Sequence, residues 1–221
     1  HSPWQVPDSY FNKYKAKGLD DTTACAYAMC ENLDDNIDRL LKKLDQLKLS
    51  DDTIVLFLTD NGPNSDRYNG GMKGKKAWLD EGGNRVPCFI RWQGKLKAGL
   101  KIKALTAHLD ILPTLAELCK LKMPETKPLD GRSLVPLLTE KESKWPERTL
   151  FTSFKGKGAV RTPKHRLVIE KNGLFLYDMI NDFSQLNNIA DANPELTRNL
   201  KEQYDQWFAE VSLKCRRNPV P

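Results

Sequence analysis

Long apolar runs, paired-cysteine motifs and internal repeats are all missing from this 221-residue chain. No apolar run approaches the roughly 20 residues that a membrane-spanning helix needs, so no membrane span is predicted. The start of the chain carries no signal-peptide pattern. There is also no Cys-x-x-Cys pair, which leaves a thiolate zinc site without support; the five cysteines are widely spaced, at Cys25, Cys30, Cys88, Cys119 and Cys215.

Charge is plentiful but unevenly placed. Hydrophobic residues make up 39% and charged residues 29% of the chain, as in ordinary globular proteins, and the net charge is +6. Between Arg67 and Lys103 there are ten basic residues, opposed only by Asp80 and Glu81. This field favours an anionic ligand such as a sulfated glycan or a nucleic acid. Because no aromatic residues alternate with the basic ones in a stacking pattern, a nucleic acid partner is not predicted.

A possible metal site follows the apolar run 54–58. The run ends at Asp60-Asn61-Gly62-Pro63, and an uninterrupted apolar run of this length is typical of a strand buried on both faces of a parallel sheet. Ligands bind beyond the carboxyl ends of such strands. A carboxylate beside an amide oxygen suits calcium or magnesium. The alternative is a plain turn, since Asp, Asn and Gly are common turn residues.

The pattern of elements changes along the chain. Leucines at helical spacing predict a long helix capped by Asp21 or Thr22 and ending near Leu47. Helix followed by strand is typical of an α/β fold, whereas residues 61–85 are loop-like and glycine-rich. From about residue 149, four short apolar runs predict an antiparallel sheet, followed by a helix over 194–211. We therefore predict two regions, residues 1–148 and residues 149–221.

Several segments together resemble the sulfatase family of the alkaline-phosphatase superfamily, and specifically its C-terminal half. The resemblance implies an α/β fold: part of an alkaline-phosphatase-like, mostly parallel sheet with flanking helices, plus a small C-terminal subdomain of antiparallel sheet and helix. Any one segment alone would be weak, but they occur in the family's order. They are His1–Pro7, Thr59–Pro63, Gly70–Pro87, His108–Leu115, Leu129–Leu134 and Leu176–Met179.

The resemblance also implies roles for individual residues. Asp60 and Asn61 would bind calcium, with magnesium as the alternative cation. Lys76, five residues before Glu81, would contact the sulfate oxygens, although Lys73 and Lys75 are close enough in sequence to be alternatives. His1 would donate a proton to the leaving alcohol.

Substrate recognition is predicted on the loop that follows the metal pair. Arg67 is its candidate substrate-binding residue, together with Lys76 and His1. The substrate implied is a sulfated small molecule or glycan, but neither its sugar nor its phenol follows from the sequence. A periplasmic, secreted or lysosomal location is implied by the family alone.

The family's nucleophile is a formylglycine made within Cys/Ser-x-Pro-x-Arg, and no cysteine or serine here begins that pattern. The formylglycine and an acidic pair that completes the metal site are therefore expected in a missing N-terminal part, and this chain alone is expected to be inactive. Two alternatives stay open: a phosphoester or phosphonate hydrolase of the same superfamily, and a non-catalytic protein that binds a sulfated glycan.

Overall fold

The computed structural model describes residues 3–123, 128–140 and 145–217, and its packing divides the chain into two compact units. The first unit comprises residues 1–70, 74–78 and 82–95, and the second comprises 71–73, 79–81 and 96–221. The division predicted at residue 148 remains a prediction for the complete protein. Within the described ranges, no helix is both long and apolar enough to cross a membrane.

Two helices begin the first unit: α1 (Asp8–Lys15) and α2 (Asp21–Gln46). Asp20 caps α2, because its Oδ1 accepts a hydrogen bond from the Thr23 N–H at 3.0 Å. The cap therefore lies one residue before the predicted Asp21. The two helices are joined by the Tyr10 hydroxyl, which donates to Asp35 at 2.6 Å. Small residues of α2 lie buried, namely Ala24, Cys25, Ala26 and Ala28.

The sheet of the first unit differs from the prediction. Strand β1 (Val55–Leu58) pairs with β2 (Cys88–Arg91), and the pairing is antiparallel. The predicted parallel neighbour is therefore wrong for the part of the chain that the structure describes, and no residue of β1 is fully buried there. An apolar run indicates burial but carries no information on the direction of the neighbouring strand. Here the chain between the two strands folds back, so β2 returns alongside β1.

The short α3 (Glu81–Asn84) precedes the helices of the second unit in sequence. In the second unit, α4 (Ile111–Leu118) directly follows Asp110, and α5 (Val135–Leu138) comes later. The Asp110 side chain makes no capping bond to α4. It is fully buried and binds Arg148, with 2.8 Å between Oδ1 and Nη1. Its carboxylate also accepts the N–H groups of Ala107 and Arg132.

The predicted C-terminal sheet is confirmed. Four antiparallel strands follow in sequence order: β3 (Leu150–Phe154), β4 (Lys157–Arg161), β5 (His165–Glu170) and β6 (Gly173–Asp178). Helix α6 (Pro194–Arg217) packs on this sheet through Leu200 and Tyr204, which share a core with Val160, Leu167 and Leu176. Gly158 is required under α6, because a Cβ there would lie 2.4 Å from the Tyr204 ring.

Candidate functional site

The turn after β1 packs tightly against the segment that contains the predicted catalytic lysine. The Gly62 N–H donates to the Gly83 carbonyl at 3.1 Å, and the Lys76 N–H donates to the Pro63 carbonyl at 2.8 Å. A Cβ on Gly62 would lie 1.8 Å from the carbonyl oxygen of Gly82, so only glycine fits. These contacts bring the backbone that follows Asp60 and Asn61 against the backbone of Lys76.

Asp60 and Asn61 stand at the start of this turn. The Asp60 carboxylate is exposed and Asn61 is half-buried. Carboxylate and amide oxygens suit a hard cation, but calcium takes six to eight oxygen ligands. Among the residues that the structure describes, no group of three or more His, Cys, Asp or Glu side chains could hold a metal. The pair thus fits part of a calcium site, and its metal-binding role stays a prediction.

Lys73 is held by a buried tyrosine of the second unit. Its Nζ donates to the Tyr177 hydroxyl at 2.7 Å and lies 3.6 Å from Oδ1 of Asp80. Burial lowers the pKa of Lys73, but the Tyr177 hydrogen bond and the Asp80 charge outweigh it and hold that pKa above its ordinary value. These contacts give Lys73 a structural role.

Lys75 and Lys76 differ from each other in whether the ammonium has a partner. Both carboxylate oxygens of Asp66 accept hydrogen bonds from Nζ of Lys75, at 2.8 and 2.9 Å. Lys76 is exposed, and its ammonium has no hydrogen bond or ion pair within the described part of the chain. Of the three lysines, Lys76 is therefore the one whose charge is free for an anionic ligand. That it contacts a sulfate remains a prediction.

Ala77, which follows Lys76, has a backbone conformation that the sequence does not predict. Its φ is 70°, in the left-handed region. A residue with a Cβ pays about 1–2 kcal/mol to occupy this region. Sequence analysis would place such a turn at a glycine. Strain beside a candidate catalytic residue is typical of functional loops.

Glu81 anchors the next part of the loop within the second unit. The carboxylate is 3% exposed and lies 3.0 Å from Nε of Arg161 and 2.8 Å from Nη2 of Arg166. Burial raises the pKa of Glu81, but the nearby charges and hydrogen bonds of Arg166 and Arg161 outweigh it and hold that pKa below its ordinary value. Arg166 also donates to the Leu79 carbonyl.

A buried glutamine completes this anchor. The Gln185 side chain accepts the Glu81 N–H at 2.7 Å through Oε1 and donates to Asp80 at 3.0 Å through Nε2. It is 2% exposed and its φ is 55°. Sequence analysis missed Gln185, Arg161 and Arg166, since partners about a hundred residues apart leave no local pattern.

Arg67 lies on the loop after the metal pair. Its Nη1 donates to Ser65 Oγ at 2.7 Å and to Asn64 Oδ1 at 3.4 Å. The guanidinium carbon lies 5.7 Å from the centre of the Trp4 ring, a cation–π distance. The half-buried side chain thus has a fixed position, but its substrate-binding role stays a prediction.

Of the three histidines, His1 lies outside the described residues, so its role as proton donor stays a prediction. His108 is exposed and begins a 3-10 turn, and His165 begins β5. Neither is close in sequence to the loop that carries Asp60, Asn61 and Lys76.

Comparison with known proteins bears on this loop and on the whole chain. The profile of the Sulfatase family matches residues 1–121, and a second profile, N-sulphoglucosamine sulphohydrolase, C-terminal, matches residues 74–210. Together the two matches cover most of the chain and include the segments with Asp60, Asn61, Arg67 and Lys76.

Individual relatives agree with the profiles. Steryl-sulfatase of Homo sapiens is 37% identical over 131 residues, which are 55% of this chain and 22% of that protein. N-acetylgalactosamine-6-O-sulfatase of Bacteroides thetaiotaomicron is 32% identical over 200 residues, which are 77% of this chain and 39% of that protein.

Solved structures give the same answer for the fold. A structure from Bacteroides thetaiotaomicron, determined in work on the metabolism of multiple glycosaminoglycans, matches with a TM-score of 0.75 and 27% identity, over 93% of this chain and 48% of its own. This chain therefore has a sulfatase-like fold and spans less than half the length of these three relatives. The predicted resemblance is confirmed: the chain belongs to the sulfatase family.

Proposed function

We propose that this chain is the metal- and sulfate-binding portion of a calcium-dependent sulfatase that hydrolyses a sulfate ester. One observation carries the proposal: the Lys76 N–H bonds to the Pro63 carbonyl, close in sequence to Asp60 and Asn61, and among the described residues the Lys76 ammonium has no partner. A cation ligand pair and a free ammonium on adjacent backbone segments suit a tetrahedral oxyanion.

Each residue has a distinct task in the proposed reaction. Asp60 and Asn61 would hold the calcium ion, which would offset the negative charge of the sulfate oxygens. Lys76 would place a point charge at the same oxygens, where charge develops as the S–O bond breaks. His1 would give its proton to the leaving alcohol oxygen. The nucleophile, a formylglycine, would come from outside this chain.

A sulfated sugar is the substrate class we favour. One relative that covers 77% of this chain is an N-acetylgalactosamine-6-O-sulfatase, and a matching structure comes from work on glycosaminoglycans. The basic residues of the loop would support an anionic glycan. An extracytoplasmic location fits such a substrate and is part of this proposal.

Lys76→Ala in the complete protein tests the proposal. We expect turnover of 4-nitrophenyl sulfate to fall by about 100-fold or more, the loss typical of removing one charged or hydrogen-bonding group from a reacting oxyanion. Lys75→Ala is the matched control and should stay within about threefold of wild type, because an ion pair as exposed as Lys75–Asp66 contributes little.

A severe Lys75→Ala or Lys73→Ala and a benign Lys76→Ala would show that another lysine meets the sulfate. The same assay with 4-nitrophenyl phosphate and a phosphonate ester separates the alternatives within the superfamily. Faster hydrolysis of either phosphorus ester than of the sulfate ester would overturn the sulfatase proposal, and binding of sulfated glycans without any hydrolysis would favour the non-catalytic alternative.

A further inference from the structure

Lys76 and Arg67 are two cations on the loops of the first unit. Neither forms an ion pair within the described residues, whereas their neighbours Lys75 and Asp66 bind each other at 2.8 Å. This pair joins the residue before Lys76 to the residue before Arg67. The two free cations therefore lie on adjacent loop segments on either side of a neutralised pair.

A second contact keeps these segments together. The Asn69 side-chain amide donates to the Gly74 carbonyl at 3.1 Å. Together with the Lys76 N–H bond to the Pro63 carbonyl, this contact keeps the loop that carries Arg67 alongside the segment that carries Lys76 on both sides of the Lys75–Asp66 ion pair. More than one contact therefore holds the segment of Arg67 against the segment of Lys76.

The Arg67 guanidinium is also held before any ligand arrives. Among the described residues, the groups that contact it are neutral: the Trp4 ring, Ser65 Oγ and Asn64 Oδ1. Its charge is therefore uncompensated, and the two hydrogen bonds involve Nη1 alone. The remaining N–H donors of the fork match the paired oxygens of a carboxylate or sulfate. A fixed guanidinium loses little freedom when such a group binds.

Next to Arg67, an aromatic side chain faces solvent. The Tyr68 ring is 82% exposed. An exposed aromatic residue beside a fixed, unpaired arginine is typical of a binding surface, where large rings and arginine supply most of the affinity. A sugar that carries an anionic group offers an apolar ring face to the one and a charge to the other.

We propose that Arg67, stacked on Trp4, binds a second anionic group of the substrate, a sulfate or carboxylate on the sugar, while Lys76 meets the sulfate that is hydrolysed. This rests on the proposed function and narrows its substrate class to sugars with two anionic groups. If Arg67 instead bound the same sulfate as Lys76, a second anionic group on the sugar would not increase the affinity of the protein for it.

Competition against 4-nitrophenyl sulfate in the complete protein tests the assignment. Three inhibitors differ in their anionic groups: N-acetylglucosamine 6-sulfate has one sulfate, N-sulfoglucosamine 6-sulfate has two, and a uronic acid–N-acetylglucosamine 6-sulfate disaccharide has a sulfate and a carboxylate. We expect at least one dianionic sugar to inhibit about tenfold more tightly than the monoanionic one. Arg67→Ala should reduce this ratio to below about threefold.

Further variants separate the contribution of the Arg67 charge from that of its stacking on Trp4. Arg67→Lys keeps the charge but loses the planar fork, and Trp4→Ala removes the ring under it, so both should give intermediate ratios. Arg39→Ala is the matched control, because Arg39 is an exposed arginine of α2 in the same unit and should leave the ratio unchanged. The dianionic sugar that inhibits more tightly identifies the second group as a sulfate or as a carboxylate.

A wild-type ratio near one, or a ratio that Arg67→Ala leaves intact, overturns the assignment. So does an equal effect of Arg39→Ala. Should the protein hydrolyse no sulfate ester, calorimetric dissociation constants for the same three sugars give the ratio directly. An Arg67-dependent ratio would then support this assignment while the proposed hydrolysis fails, so that the two failures are distinguishable.

Discussion

Lys73, Lys75 and Lys76 lie within four consecutive positions, yet their side chains meet three different surroundings. Lys73 bonds to the hydroxyl of buried Tyr177, Lys75 pairs with Asp66, and Lys76 is free within the described residues. A lysine that is already paired must give up that partner before it can bind an anion. A free lysine carries no such cost, which is why the chemistry is assigned to Lys76.

The residue beside Lys76 offers a test of backbone strain. Ala77 has a φ of 70°, so Ala77→Gly relieves about 1–2 kcal/mol of folded-state strain but adds about 0.4–1 kcal/mol of unfolded-state entropy. We expect the variant to be more stable by about 0.5–1 kcal/mol in urea unfolding of the complete protein. The expected gain in stability is the relieved strain minus the cost of the added unfolded-state entropy.

Ala16→Gly is the control for this comparison. Ala16 is an exposed residue with a φ of −62°, where alanine is unstrained. Glycine there should destabilise by about 0.5–1 kcal/mol. If both variants shifted stability in the same direction, the strain assigned to Ala77 would be wrong.

At the scale of elements, two buried carboxylates hold the first residue of α3 and the residue before α4. Glu81 binds two arginines of β4 and β5, and Asp110 binds Arg148. Burial raises the pKa of Asp110, but the Arg148 hydrogen bonds and the N–H groups of Arg132 and Ala107 hold it below its ordinary value. Both contacts therefore link the stability of these segments to pH.

The sign of this linkage follows from the lowered pKa values. Because Glu81 and Asp110 bind protons more readily in the unfolded chain, their stabilisation is complete above about pH 5 and is lost as the pH falls below about 4. We expect the melting temperature of the complete protein, measured by calorimetry, to fall steeply as the pH is lowered below about 4.

Two variants test whether Glu81 causes the loss of stability at acidic pH. Glu81→Gln should lower stability at pH 7 by about 3–5 kcal/mol, because it leaves buried arginines unpaired. It should then lose less on acidification. Asp34→Asn, at an exposed position of α2, should keep the wild-type pH dependence. An unchanged acid loss in Glu81→Gln would contradict the role given to Glu81.

At the scale of the whole molecule, the chain supplies only part of a metal site. Asp60 and Asn61 provide two ligand groups, and no larger cluster of metal-binding side chains occurs among the described residues. Calcium sites need six to eight oxygens. Since the chain also spans less than half the length of the three relatives compared above, we propose that the remaining ligands lie elsewhere in the complete protein.

Metal analysis of two preparations tests this proposal. The complete protein should retain about one calcium ion per molecule after dialysis, and Asp60→Ala should lose both the ion and the activity. The isolated 221-residue chain should bind calcium weakly and hydrolyse no sulfate ester. Tight stoichiometric calcium binding by the isolated chain would show that it completes the site by itself.

Local sequence was sufficient for much of this protein. The strands β3–β6, helix α6 and the long helix α2 follow from alternation and helical spacing, because these patterns express which side chains an element buries. The resembling segments, Thr59–Pro63 and Gly70–Pro87 among them, together indicated the family. Asp60, Asn61 and Lys76 were candidates because they lie in those two segments, whereas Arg67 was a candidate from its place on the loop between them.

Tertiary structure alone decided the rest. The antiparallel pairing of β1 with β2 depends on how the chain returns, which no apolar run encodes. The arginine and glutamine partners of Glu81 and the Tyr177 partner of Lys73 come from positions 80 to 104 residues away. The separation of a free Lys76 from a paired Lys75 depends on where Asp66 folds. Each is a contact that the fold of the chain brings about, and composition and periodicity do not encode such contacts.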